Sequence, residues 1–120
     1  MKMYKLLQIV DGSVVDEHTL GDEAFSIGRN TGNSVQPDDA SVSGNHARVT
    51  LAASAYLEDA MEATIEDLDS TNGTFINGKR VQRQLLKHGD MLTIGTLSFK
   101  FIDTQTLAMG GTRILLQEEG

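Results

Sequence analysis

The sequence contains no cysteine. That absence removes disulfide staples, thiolate nucleophiles and cysteine-ligated zinc or iron–sulfur centres together. Three histidines remain, and neither His18 nor His88 has a partner at a metal-site spacing, so both read as surface residues and no metal or cofactor is expected. Long apolar runs are also missing. Nothing approaches the ~20 residues needed to cross a bilayer, and Met1-Lys2-Met3-Tyr4-Lys5 leads into a strand-like segment, unlike a signal peptide. The expectation is a cytoplasmic protein with no membrane insertion. Positive charge is scarce as well: 10 Lys and Arg face 17 Asp and Glu, for a formal net charge of -7. A field of that sign repels nucleic-acid phosphates and anionic membranes at long range, so neither is an expected partner. A local anion site stays open to the chain, because oriented amides and one arginine act within the screening length of about 8 Å.

What is present is one domain's worth of chain. A polypeptide of 120 residues and 13.0 kDa is long enough to bury roughly two-thirds of its unfolded surface in a single core, and too short for a second full domain. Hydrophobic residues at 39% and charged residues at 22% fit a soluble globular protein. Glycine is frequent and proline occurs once, at Pro37, so the turns are punctuated by glycine. Between the breaks lie runs rich in β-branched and apolar residues: Tyr4 to Val10, Ser13 to Leu20, Ala24 to Ile27, Ala47 to Ala52, Ala63 to Leu68, Leu92 to Ile94 and Leu97 to Ile102. These read as strands. Alternation places Ala47, Val49 and Leu51 on one face, and Leu97, Phe99 and Phe101 on one face of the last strand.

Residues Ala52 to Glu62 read as a loop with strand edges, since no cap and no helical period accompany Ala53-Ser54-Ala55. Short strands without interleaved helices predict an all-β antiparallel sandwich over residues 1–102. The stretch 103–120, with Gly110-Gly111 and a terminal Glu118-Glu119, reads as a linker or tail in which Thr112 to Leu116 could pair as an edge strand.

Three polar, glycine-bearing segments fall where loops should be: Ile27-Gly28-Arg29, then Val42-Ser43-Gly44-Asn45-His46-Ala47, then Asp67-Leu68-Asp69-Ser70-Thr71-Asn72-Gly73-Thr74-Phe75-Ile76-Asn77-Gly78. In this order and spacing the chain resembles the forkhead-associated domain, a phosphothreonine-peptide reader, over roughly Phe25 to Phe101. The resemblance implies a sandwich of about eleven strands whose loops at one end hold the phosphate, with the peptide lying extended across them. It also implies a partner: a phosphothreonine-containing protein or peptide, the substrate of a Ser/Thr kinase, bound in signalling.

The chemistry of the residues suits that role. Phosphothreonine carries a charge of about -1.5 to -2 and three acceptor oxygens, so its site needs fixed donors and a permanent positive charge. Arg29 offers a planar guanidinium fork that stays charged. Ser43 and Thr71 offer hydroxyls, and Gly44 leaves its amide open to close approach by an anion. The resemblance assigns the phosphate contact to Arg29, the backbone of the residue after the phosphothreonine to Asn72, and loop support to Gly28, His46 and Gly73. One departure stands out. Where the family often carries Arg, Lys or Asn after the loop serine, this chain has Gly44, followed by Asn45 as a secondary contact. A missing charge-assisted bond costs about 1.5–3 kcal/mol, which predicts binding weaker than is typical of the family. A small pocket for the threonine methyl implies threonine over serine, by less than tenfold, since one methyl is worth about 0.8 kcal/mol.

Competing readings are weaker. Asn77-Gly78 is a common hairpin dipeptide, and Lys79, Arg80, Arg83 and Lys87 read as solvated loop charges at a rim that could select acidic residues. No catalytic residue is expected: Ser43 and His46 lack a nucleophile elbow, and the adjacent carboxylates of Asp38-Asp39 and Glu66-Asp67 point to opposite faces if in strands. The alternative from another class is a phospho-independent scaffolding sandwich. The threonines of the tail, Thr104, Thr106 and Thr112, once phosphorylated, are candidate ligands in cis.

Overall fold

The computed structural model describes residues 4–53 and 61–104. They form β1 (Tyr4–Val10), β2 (Ser13–Leu20), β3 (Phe25–Ile27), β4 (Ala47–Ala53), β5 (Met61–Asp67), β6 (Thr74–Ile76), β7 (Lys79–Val81), β8 (Arg83–Leu85), β9 (Met91–Ile94) and β10 (Leu97–Asp103). A six-stranded sheet in the order β2-β1-β10-β9-β6-β7 packs on a four-stranded sheet in the order β3-β4-β5-β8. Every pairing between these strands is antiparallel. The expected all-β sandwich is what the chain adopts, with ten strands among the described residues against the roughly eleven implied by resemblance.

Two hairpins show how sequence chooses the pairing. Asp11-Gly12 takes φ of 52° and 79°, and Asn77-Gly78 takes 52° and 85°. Consecutive left-handed residues give a turn whose twist matches that of the flanking strands, so β1 returns as β2 and β6 as β7. Asn77 does more than turn: its Nδ2 donates to Asp90 Oδ1 at 2.9 Å and its Oδ1 accepts from the Met91 amide at 2.9 Å.

The inner faces follow the alternation read from sequence. Leu6, Ile76, Leu92, Ile94, Phe99 and Phe101 of one sheet meet Ile27, Val49 and Ile65 of the other, each no more than 2% exposed. Dense apolar burial of this kind makes a stiff platform for the loops.

Some expectations needed correction. Lys79 and Arg80 lie in β7 and Arg83 in β8, not in loops; three-residue strands are too short to show an alternating signature, and their pairing is set by neighbours distant in sequence. His18 is half-buried, its ring centroid 5.2 Å from that of Phe25 and 6.4 Å from that of Phe99, so it fills the gap between sheets rather than facing water. His88 Nδ1 accepts from the Asp103 amide at 3.0 Å. The strand edges expected around Ala52 to Glu62 are present as Ala52↔Glu62 and Ala53↔Met61; the intervening loop lies outside the described residues, as do the tail beyond Thr104 and its Thr112 to Leu116 edge strand. Among the described residues no helix is long and apolar enough to cross a membrane.

Candidate functional site

Three loops converge at one end of the sandwich, and backbone bonds fix them. After β3, the Arg29 amide donates to Ser43 O at 3.1 Å and the Asn30 amide to Gly44 O at 2.9 Å; the His46 amide donates back to Ile27 O at 2.9 Å, and the Leu68 amide to His46 O at 2.9 Å. Gly28 is where the first two loops touch. A β-carbon there would lie 2.3 Å from Gly44 O and 2.9 Å from Asn45 Cα, both backbone atoms, so only glycine fits.

His46, wholly buried, locks the second loop to the third. Its Nδ1 accepts from the Ser43 amide at 3.0 Å and its Nε2 bonds the Gly73 carbonyl at 2.8 Å. An amide can only donate and a carbonyl can only accept, so the ring carries its hydrogen on Nε2. It does not face the Ser43 hydroxyl: Ser43 Oγ accepts from the Thr71 amide at 3.0 Å. A serine–histidine nucleophile pair is therefore not formed. The Ser43 hydroxyl hydrogen is left to donate outward.

Arg29 is exposed, with its Nε donating to Val42 O at 2.6 Å. That bond orients the guanidinium and leaves both terminal nitrogens for a ligand. The ion pairs among the described residues are Lys5–Glu17 and Arg48–Glu66, with the His18 ring 3.6 Å from Asp16, so among the described residues no carboxylate neutralises Arg29. Thr71 and Asn72 are exposed beside it on the third loop. Asn72 Nδ2 donates to Ser41 O at 2.9 Å, a bond that uses one of its two amide hydrogens and leaves its Oδ1 aside. The sequence-predicted set Arg29, Ser43, Thr71 and Asn72 is thus gathered in one place. Asn45 is placed differently: its Oδ1 accepts from Asn33 Nδ2 at 3.3 Å, tying it to the side of the loop. Gly44 is covered by Asn30, whose Nδ2 would sit 2.8 Å from a β-carbon at that position.

Several supporting residues escaped the sequence reading. Asp39 accepts from Ser41 Oγ at 2.6 Å and from the Ser41 amide at 2.9 Å. It also accepts from the Thr96 amide at 3.2 Å and from the Thr96 hydroxyl. These bonds, led by the Ser41 hydroxyl, hold its carboxyl well below the usual carboxylate range. The β9–β10 turn thereby fixes Ser41, and Ser41 holds Asn72. The only signal in the sequence is the Asp39-Ala40-Ser41 spacing of a local side-chain turn.

Asp67 organises the third loop. It accepts from Ser70 Oγ at 2.5 Å, the Ser70 amide at 3.1 Å and Thr74 Oγ1 at 2.8 Å, while Ser70 Oγ accepts from the Gly73 amide at 2.9 Å. Burial alone would push its carboxyl up, but the Ser70 and Thr74 hydroxyls outweigh it and hold the carboxyl below its ordinary value of 3.8. A depressed native pKa gives stability that is present above the unfolded value and lost as pH falls through the native one. Denaturant unfolding of the wild type is thus expected to be level above about pH 5 and to weaken below about pH 4, and Asp67→Asn to flatten that decline.

Comparison with known proteins identifies the family of this fold. The family model of the FHA domain matches residues 25–95. The chain is 35% identical over 80 residues to the ABC transporter ATP-binding/permease protein Rv1747 of Mycobacterium tuberculosis, a match that takes in 67% of this chain and spans 8% of that protein's length. Among solved structures, one of phosphothreonine-dependent FHA domain interactions is 27% identical with a TM-score of 0.68, over 83% of this chain and 95% of that one. The FhaA FHA domain complexed with the intracellular domain of Rv3910 is 28% identical with a TM-score of 0.66, over 82% and 98%. Mycobacterium tuberculosis EmbR in complex with a low-affinity phosphopeptide is 28% identical with a TM-score of 0.69, over 83% of this chain and 24% of that one. With the family model matching more than half of its length, the chain belongs to the FHA domain family.

Proposed function

We propose that this chain is a phosphothreonine-peptide-binding module that joins a phosphorylated partner to the protein carrying it. The observation that carries the reading is the convergence at one end of the sandwich of a guanidinium unpaired among the described residues (Arg29), a free hydroxyl hydrogen (Ser43) and a backbone clasp (Asn72). Phosphothreonine needs that combination: a planar cation for the dianion, neutral donors for the remaining oxygens, and an amide to fix an extended chain. Structural relatives at 27% and 28% identity described with phosphothreonine-dependent interactions and with a phosphopeptide support it. The partner is a Ser/Thr kinase substrate in the cytoplasm, and the role is in signalling. Residues 1–102 form the reader and 103–120 a tail leaving it, whose phosphorylated threonines are candidate ligands of the same site.

The test is titration with a degenerate phosphothreonine library beside its phosphoserine and unphosphorylated counterparts, following amide shifts. Shifts confined to Arg29, Ser43, Thr71, Asn72 and their neighbours are expected. Phosphothreonine should lead phosphoserine by less than about tenfold, the ceiling for burying one methyl. Partner binding that survives phosphatase treatment would instead favour a phospho-independent scaffold.

A further inference from the structure

We infer that Arg80 is a specificity-determining residue that reads a second anionic group on the bound peptide, beyond the residue that follows the phosphothreonine. The inference rests on the proposed function and deepens it. Arg80 stands on β7, opposite Phe75 in the β6–β7 hairpin, and its side chain folds back over the third loop. A β-carbon built on Gly73 would lie 2.6 Å from Arg80 Nε and 3.0 Å from its Cζ. The bare α-carbon of Gly73, at φ 89°, is therefore the seat on which the guanidinium lies. The absence of a side chain at 73 serves two ends: it permits the left-handed backbone and it makes room for a cation.

One observation separates Arg80 from Arg83 and Lys87. It touches the loop that carries Asn72, whereas Arg83 lies in the other sheet, opposite Glu66 on β5, and Lys87 lines a different groove with Tyr4, Met61 and Phe101. It is also exposed and lies in none of the ion pairs formed among the described residues. In a chain of net charge -7, an arginine held against a binding loop with no carboxylate partner among the described residues is a candidate anion partner.

The direction follows from the order of the loop. Thr71 bonds Ser43 at the phosphate end, Asn72 comes next, and Gly73 with Arg80 over it comes after. A peptide that enters at Arg29 and is clasped at Asn72 passes Arg80 as it leaves. The group recognised is a carboxylate side chain or a second phosphate, since both present paired oxygens to a guanidinium fork.

The experiment is calorimetric titration of the whole chain with phosphothreonine peptides bearing Asp, Ala, Lys or phosphoserine at the second and third residues after the phosphothreonine. It is run with wild type, Arg80→Gln and Arg80→Glu at low and high salt, with thermal melts to verify folding. Wild type is expected to favour Asp over Lys by about three- to fivefold, as for an exposed ion pair, and phosphoserine over Ala by roughly tenfold. Both ratios should shrink with salt. Arg80→Gln should bring them close to one, and Arg80→Glu should reverse the order of Asp and Lys. A preference shown by only one of the acidic peptides supports the inference and names the source as carboxylate or phosphate. Phosphopeptide binding with no charge preference in wild type, or with a preference that Arg80→Gln leaves unchanged, overturns the role of Arg80 alone. Binding of none of the phosphopeptides overturns it together with the proposed function.

Discussion

Arg29→Ala is expected to weaken phosphothreonine-peptide binding by roughly a hundredfold, or about 3 kcal/mol, the scale of charge-assisted hydrogen bonds to a dianion. The fold should survive, because the side chain is exposed and contributes one internal bond, from Nε to Val42 O. Arg29→Lys separates charge from shape. An ammonium keeps the positive charge but loses both the bond that aims the group and the planar fork, so a loss of about tenfold is expected. Calorimetry gives the affinities, and denaturant melts should place all three proteins within about 1 kcal/mol of one another. Equal affinity in Arg29→Ala and wild type would remove the guanidinium from the site.

His46→Ala acts on the scaffold. The ring is wholly buried, and its loss would leave the Ser43 amide and the Gly73 carbonyl without partners as well as a cavity. Each unpartnered buried group costs about 1–3 kcal/mol, so a total of roughly 3–5 kcal/mol is expected, a large share of a small domain's usual 5–15 kcal/mol. Urea unfolding measures it, and amide exchange should accelerate first at Ser43, whose amide loses its acceptor. A destabilisation under about 1 kcal/mol would mean that water or a shifted loop replaces both bonds.

What the sequence revealed of this molecule depended on the range of the interactions. Strands with long alternating runs, such as Ala47–Ala53 and Leu97–Asp103, declare themselves because each residue's face follows from its neighbours. Arg29, Ser43, Thr71 and Asn72 were legible for another reason: glycine and asparagine mark the loops, and the order of the three segments is specific. Hidden from both signals were the contacts made by folding. β7 and β8 exist because β6 and β5 are there to pair with them. His18 reads as polar surface until Phe25 and Phe99 are brought beside it. The tie from Thr96 through Asp39 to Ser41 joins residues 57 apart in the chain, and the seat of Arg80 on Gly73 needs the hairpin closed first.

The tautomer of His46 separates two duties that a binding pocket often confounds. An imidazole whose nitrogens are spent as one acceptor and one donor sets the spacing of the walls while adding no net charge to the space between them. Attraction for a dianion then arises at the mouth, from Arg29 and whatever amides face it, and shape arises behind. Evolution or an engineer could retune the pull on the ligand by editing the rim, without touching the hinge pin that keeps the jaws apart.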